Sequence, residues 1–537
     1  MSPGIRRRWV AAAVALLWIA IAAVLVRTVA GETADDFYIT YRYAQNLLAG
    51  EGFTFNPGER VFGTTAPGWG LALALLAGLS GGPVAVVATV ASGLALLAFV
   101  GLLAGTGPAA SRWPEGVLAG TLVLTSSFLW IHHGSEALAM LAILALAARW
   151  AEKRPAAAGL LAGFAVWLRP EAGLAVAAMA LWLRCSRRRW PWPFLWTAGA
   201  VVAAGLAAAW LYFGTPLPNT LGAKRLQVAW RPEVWRGGSV FWVEGYRWLR
   251  ESYAGSLMPV LAVGGLVGHG SLLRSGDLAL KTLASLSLGL IVAYPLLGVP
   301  FYTWYALPVL VALIYGLVFL VGDLGRALWR QRPFFQRGRS VGFQGGARRW
   351  AAGILLVAGL VSLAGLTLST NRRTWVGASR FRGMPQIELY RQAGHWLQEH
   401  AGPEEDVAHV EVGALAYFGL RPVRDLLALV SPEYLPFVES RDPAGALRWR
   451  PPAYVLDHSR LRGLVREVLE DPWFRAHYQP VASFEASLSA ETLVIYQRRP
   501  EQDVGSDSSP GPDQVSGRQA AEAAETLPPG RRTNGQE

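Results

Sequence analysis

Apolar residues in this chain fall in long unbroken runs rather than in alternation, separated by short stretches rich in arginine, glycine and proline. A bilayer core of roughly 30 Å takes about 20 helical residues to cross, and shorter helices persist where they tilt or are sheltered by neighbours. The pattern therefore predicts spans over 9–29, 84–104, 117–131, 137–150, 156–168, 172–183, 194–213, 257–272, 282–299, 302–321 and 350–368, about 11 in all. The glycine-rich run 67–79 is short and reads as a re-entrant or interfacial helix. Phe37, Tyr41, Ala44 and Leu48 recur at helical spacing, predicting a helix lying in the membrane interface with Thr33 at its N-cap.

Beyond Arg372 the pattern becomes that of a water-soluble domain. Ile387, Leu389, Tyr390, Ala393 and Leu397 form one face of an amphipathic helix over 386–400, and strands are predicted over 406–412, 423–429 and 492–497. The expected organisation is a polytopic α-helical membrane bundle over 1–370, with outer loops at 30–83 and 214–256. A small extracytoplasmic α/β domain over 371–500 and a disordered Pro/Gly/Ser/Glu-rich tail over 501–537 complete it.

Composition agrees, with 53% hydrophobic and only 16% charged residues. The net charge of +12 does not imply nucleic acid, because the arginines cluster between apolar runs, at Arg6 to Arg8, 184–189 and 326–349, and mark cytoplasmic loops. The single cysteine, Cys185, excludes an intrachain disulfide. The first apolar run is longer than a signal-peptide core, predicting an uncleaved first helix in a multi-pass protein of the cell (inner or plasma) membrane. With 67–79 not crossing, Asp35-Asp36, Gly134 to Glu136, Arg169 to Glu171, the loop 214–253 and everything after 370 share the extracytoplasmic face.

Ionisable residues at membrane level are costly and mark function. Asp35 and Asp36 stand just beyond the first span; one acid in a helix's first turn is explained by the helix dipole, a neighbouring pair less well. Arg169 and Glu171 flank a proline break between two apolar runs, and Lys224 follows a span's outer end. His132-His133 with Glu136 resembles zinc ligation only superficially, since adjacent side chains diverge. No phosphate-binding Gly-rich loop ending in Gly-Lys-Ser/Thr and no His-Glu-x-x-His is present, so ATP hydrolysis and zinc proteolysis lack support.

Asp35-Asp36-Phe37-Tyr38-Ile39-Thr40-Tyr41-Arg42-Tyr43-Ala44-Gln45-Asn46-Leu47 followed by Asn56-Pro57-Gly58-Glu59-Arg60-Val61 resembles the GT-C superfamily of polyprenyl-phosphate-dependent membrane glycosyltransferases. The nearest branch includes the terminal arabinofuranosyltransferases of actinobacterial walls. Weaker matches are Leu168 to Glu171, Leu217 to Thr220 with Ala223-Lys224, and Val412 to Phe418 with Asp425 to Leu427. Gly134-Ser135-Glu136-Ala137 and Val61 to Pro67 depart from the family's usual wording.

The resemblance implies inverting transfer from a polyprenyl-phosphate-linked sugar to an envelope glycan, lipid or protein acceptor. Asp35 or Asp36 would be the catalytic base, and Arg42, Arg169 and Lys224 would hold the donor phosphate. Glu136, Glu171, Asn219 and Tyr38 are candidates for the substrate groove. No cofactor is required on this reading, and a divalent metal is not expected. The alternative is a transporter or flippase of lipid-linked sugars, which needs charges strung along a path through the bundle rather than gathered on one face.

Overall fold

The computed structural model describes residues 3–29, 33–105, 112–230, 235–330, 354, 358–359, 361–365, 384–487 and 489–500. Most of the expected span 350–368, the loop 331–349, the boundary at 370–371 and the tail 501–537 lie outside these. Among the described residues, six helices are long and apolar enough to cross a membrane: Arg8–Val29, Val84–Ala104, Trp192–Phe213, Gly238–Leu273, Leu278–Leu297 and Thr303–Leu328. Pro67–Ser80 and Pro155–Leu168 are shorter apolar helices. The chain is a polytopic helical membrane protein.

The helix expected over 117–131 is instead two, Trp113–Leu124 and Ser127–Ile131. The Trp130 indole donates to the Leu124 carbonyl at 2.6 Å, occupying the acceptor that a continuing helix would use. The Asp35–Leu48 helix does not present the single apolar face expected of it. It is buried around its circumference, Arg42 and Asn46 included. Its N-cap is Ala34 rather than Thr33, whose hydroxyl donates to the His133 carbonyl at 2.6 Å.

The C-terminal region forms a mixed five-stranded sheet in the order β2-β1-β3-β5-β4. β1 (Val407–His409) runs parallel to β2 (Val423–Asp425) and β3 (Tyr454–His458), while β5 (Thr492–Arg498) is antiparallel to β3 and to β4 (Tyr478–Glu485). The first two strands are shorter than expected, the second for a local reason. Asp425 gathers the N–H groups of Leu427, Leu429 and Val430 on its carboxylate, which curls the chain where the sequence pattern continued a strand.

Sheet and bundle share one apolar core. Tyr38 packs on Tyr417 and Phe418, with ring centroids 5.2 and 5.4 Å away. At the sheet edge the Asn56 side chain behaves like a neighbouring strand, accepting from the Val423 N–H at 2.9 Å and donating to the Val423 carbonyl at 3.1 Å. The turn Asn56-Pro57-Gly58 thus covers an otherwise open edge.

Candidate functional site

Two cavities meet where the first loop, the Thr220–Trp230 helix and the α/β region converge. The smaller, about 60 Å³, is lined by Asp36, Thr40, Glu136, Arg169, Lys224 and Tyr305 among others. The larger, about 620 Å³, is bounded by Asp35, Arg236, Glu244, Arg247, Glu411 and Arg460 together with aromatic side chains. Asp36, Ile39, Trp304 and Leu429 line both. Ligand pockets run to roughly 300–1,000 Å³, so the larger has room for a sugar-sized molecule and the smaller for a few water-sized groups.

Asp36 lies in the first turn of its helix, where the dipole favours a carboxylate. Burial raises its pKa, and the Lys224 ammonium, 3.9 Å from Oδ2, draws it back. Lys224 is held 4.5 Å from the centroid of the Tyr302 ring and 3.4 Å from the Tyr305 hydroxyl. Burial would lower its pKa, but Tyr305 and Asp36 outweigh that, and the net shift is upward, so the ammonium stays charged.

Asp35 points elsewhere. Its two carboxylate oxygens accept from the backbone N–H groups of Gly413 (3.1 Å) and Ala414 (2.7 Å), the start of the Gly413–Gly419 helix. Burial and then Glu411 raise its pKa, and the bond to Ala414 opposes them. A Cβ on Gly413 would overlap the Asp35 carbonyl, so this close approach needs glycine.

Arg169 bridges Glu136, at 2.7 Å, and Glu171, which also accepts from the Tyr294 hydroxyl at 2.9 Å. His132 and His133 diverge, toward Thr303 and Thr89 respectively.

Residues 380–503 match a family described as a domain of unknown function (DUF8728). Over 99 residues the chain is 40% identical to the terminal beta-(1->2)-arabinofuranosyltransferase of Mycobacterium tuberculosis. That match covers 17% of this chain and 16% of the relative, so the chain spans about a sixth of the curated relative's length. Among solved structures, ArnT from Cupriavidus metallidurans bound to undecaprenyl phosphate superposes with a TM-score of 0.51 at 14% identity, covering 89% of this chain and 97% of that one. An Archaeoglobus fulgidus oligosaccharyltransferase tethered with an acceptor peptide superposes with a TM-score of 0.51 at 11% identity, covering 92% and 74%. This chain has the GT-C fold.

Of the residues expected to act together, the GT-C fold gathers Asp36, Glu136, Arg169 and Lys224 around the small cavity, with Glu171 behind Arg169. Four others are placed differently. Asp35 lines the large cavity while its carboxylate caps a helix. Arg42 lies about 120° round the helix from Asp36, and there donates to the Phe55 carbonyl and to Gln45, which anchors the first loop. The Asn219 amide donates to the carbonyls of Ala428 and Leu429. Tyr38 belongs to the aromatic core.

Sequence reasoning missed Glu411, Arg236, Arg247 and Arg460, whose place on the wall of the large cavity depends on tertiary packing. It also missed Trp304 and Tyr305, for which the aromatic run Phe301 to Tyr305 was a usable signal.

Proposed function

We propose that this GT-C chain is an inverting glycosyltransferase, moving a sugar from a polyprenyl-phosphate donor to an envelope glycan, lipid or protein acceptor on the outer face of the cell membrane. The carrying observation is Asp36, set at the mouth between the two cavities with Lys224 beside it. Asp36, rather than Asp35, takes the proton of the acceptor hydroxyl. The acceptor oxygen then bonds to the anomeric carbon on the face opposite the phosphate. The carbon–oxygen bond to phosphate breaks, and its electron pair leaves with polyprenyl phosphate. Lys224 stabilises that departing charge.

Arg169 contributes less directly than expected. Its charge is already met by two carboxylates, so its part is to hold Glu136 and Glu171 in place. The scheme needs no metal, since a phosphate monoester to polyprenol is already a competent leaving group. The relatives support the reading in kind: the ArnT structure holds undecaprenyl phosphate, and the oligosaccharyltransferase structure holds an acceptor peptide. The full count of about 11 spans, the division into bundle and outer α/β domain, and the outward-facing site belong to the same proposal.

The test is to incubate the purified chain, with a chelator present, with a panel of polyprenyl-phosphate sugars and an envelope extract as acceptor. Consumption of one donor with release of polyprenyl phosphate is expected. Counter-flow of labelled lipid-linked sugar in proteoliposomes without any consumption would replace this reading with a flippase.

A further inference from the structure

The α/β region contributes to the large cavity a carboxyl group that the transfer scheme leaves unused. Glu411 follows β1 where the chain turns from the sheet toward the Gly413–Gly419 helix, and it lines the cavity near Arg460 and Gln386. One of its oxygens, Oε2, receives both the Tyr390 hydroxyl, at 2.7 Å, and the Gln386 amide. Behind Tyr390, His409 Nε2 lies 3.0 Å from the same hydroxyl, and His409 Nδ1 faces the Leu456 carbonyl at 3.1 Å.

Counting protons along this row is informative. Nδ1 must carry a proton to meet a carbonyl, which leaves neutral His409 with a lone pair at Nε2. Tyr390 has one proton and two acceptors, Glu411 and His409. Every member is satisfied only when the row holds one further proton, on Glu411 or on Nε2. Burial favours the former, since it pushes His409 down to about 3 and raises Glu411. Glu411 thereby reaches the cavity as a group with one oxygen engaged from behind and the other open to a ligand.

Its surroundings have the chemistry of a carbohydrate subsite. Trp235 and Trp248 bring aromatic rings to its wall, and a few fixed polar groups set orientation. Arg460 donates to Gln386 Oε1 at 2.7 Å, which ties guanidinium, amide and carboxyl into one polar edge.

We infer that the α/β region supplies a sugar-hydroxyl subsite in the large cavity, with Glu411 and Arg460 contacting the sugar and with Tyr390 and His409 positioning Glu411. The inference rests on the proposed transfer only in taking that sugar to be the acceptor.

The test uses the full chain in lipid nanodiscs and a panel of p-nitrophenyl pentofuranosides and hexopyranosides, with binding read by saturation-transfer NMR. At least one glycoside is expected to bind. Glu411→Ala, which removes a hydrogen-bonding carboxyl, and Arg460→Gln, which removes a charge-assisted donor, are each expected to weaken its Kd about tenfold. Tyr390→Phe keeps the ring and removes the link to His409, and is expected to raise the KM for that glycoside while leaving kcat unchanged. Arg460 sits at the domain surface, so its variant stands even where a Glu411 variant folds poorly. Unchanged affinity in either the Glu411 or the Arg460 variant, or no binding across the panel, overturns the inference. Intact binding of this pattern in a chain that consumes no donor would instead retire the transferase reading and leave the subsite standing.

Discussion

Converting each member of the aspartate pair to asparagine is expected to produce two unlike defects. Asp35 is 7% exposed, and its two oxygens hold the first two N–H groups of the Gly413–Gly419 helix. Asparagine retains one acceptor and turns an NH2 toward the other N–H. The loss combines a weakened charge-assisted bond with an unsatisfied buried donor, roughly 2–4 kcal/mol in total. Asp36 has no such duty. Its side chain is 29% exposed and its ionic partner is 3.9 Å away, so Asp36→Asn is expected to change stability by less than about 1 kcal/mol. As the general base it is expected to lose activity by about 10²–10⁴-fold.

The assay pairs thermal unfolding in detergent, followed by tryptophan fluorescence, with turnover of the donor identified from the panel. Gly413→Ala serves as an independent probe of the same joint, because its Cβ overlaps the Asp35 carbonyl. It should reproduce the Asp35→Asn melting defect. An Asp35→Asn chain that melts with the wild type, or an Asp36→Asn chain that keeps more than about a tenth of its turnover, would refute the division of labour.

Lys224→Met keeps the unbranched apolar stem and removes the charged end, so the donor KM is expected to rise about tenfold or more; an unchanged donor KM would remove Lys224 from the phosphate role. His409 is neutral in the fold, with its pKa pushed down to about 3 chiefly by burial, whereas the unfolded chain takes up a proton below about 6.5. Its contribution to stability is therefore present above about pH 6.5 and is lost as pH falls toward about 3. Melting curves of the wild type should lose ground to those of His409→Gln across that window, and parallel pH dependence in the two chains would contradict the assignment.

Periodicity and charge spacing located the apolar helices because lipid and core impose them locally, residue by residue. Asp36 and Lys224 were legible for a related reason: charge at membrane level is rare enough to stand out. What stayed hidden depends on partners far along the chain. The two aspartates look equivalent in sequence, and only the Gly413–Gly419 helix, some 380 residues on, separates their roles. The family resemblance implies a phosphate role for Arg42, but its position on the helix turns it toward the first loop. Glu411, between Val410 and Val412, looks like an ordinary polar residue at a strand end until the sheet is docked on the bundle. β3 was missed because Tyr454–His458 is buried throughout and does not alternate.

The side chains that fasten the sheet come from the loops that also carry the reacting groups. Asp35 adjoins Asp36, Asn219 immediately precedes the helix that carries Lys224, and Asn56 grips the outermost strand from the same first loop. A chimaera grafting another relative's α/β portion onto this bundle would therefore have to preserve the main-chain groups at 413–414, 423 and 428–429. Without them, an exchange intended to change only sugar preference would also loosen the base and the lysine.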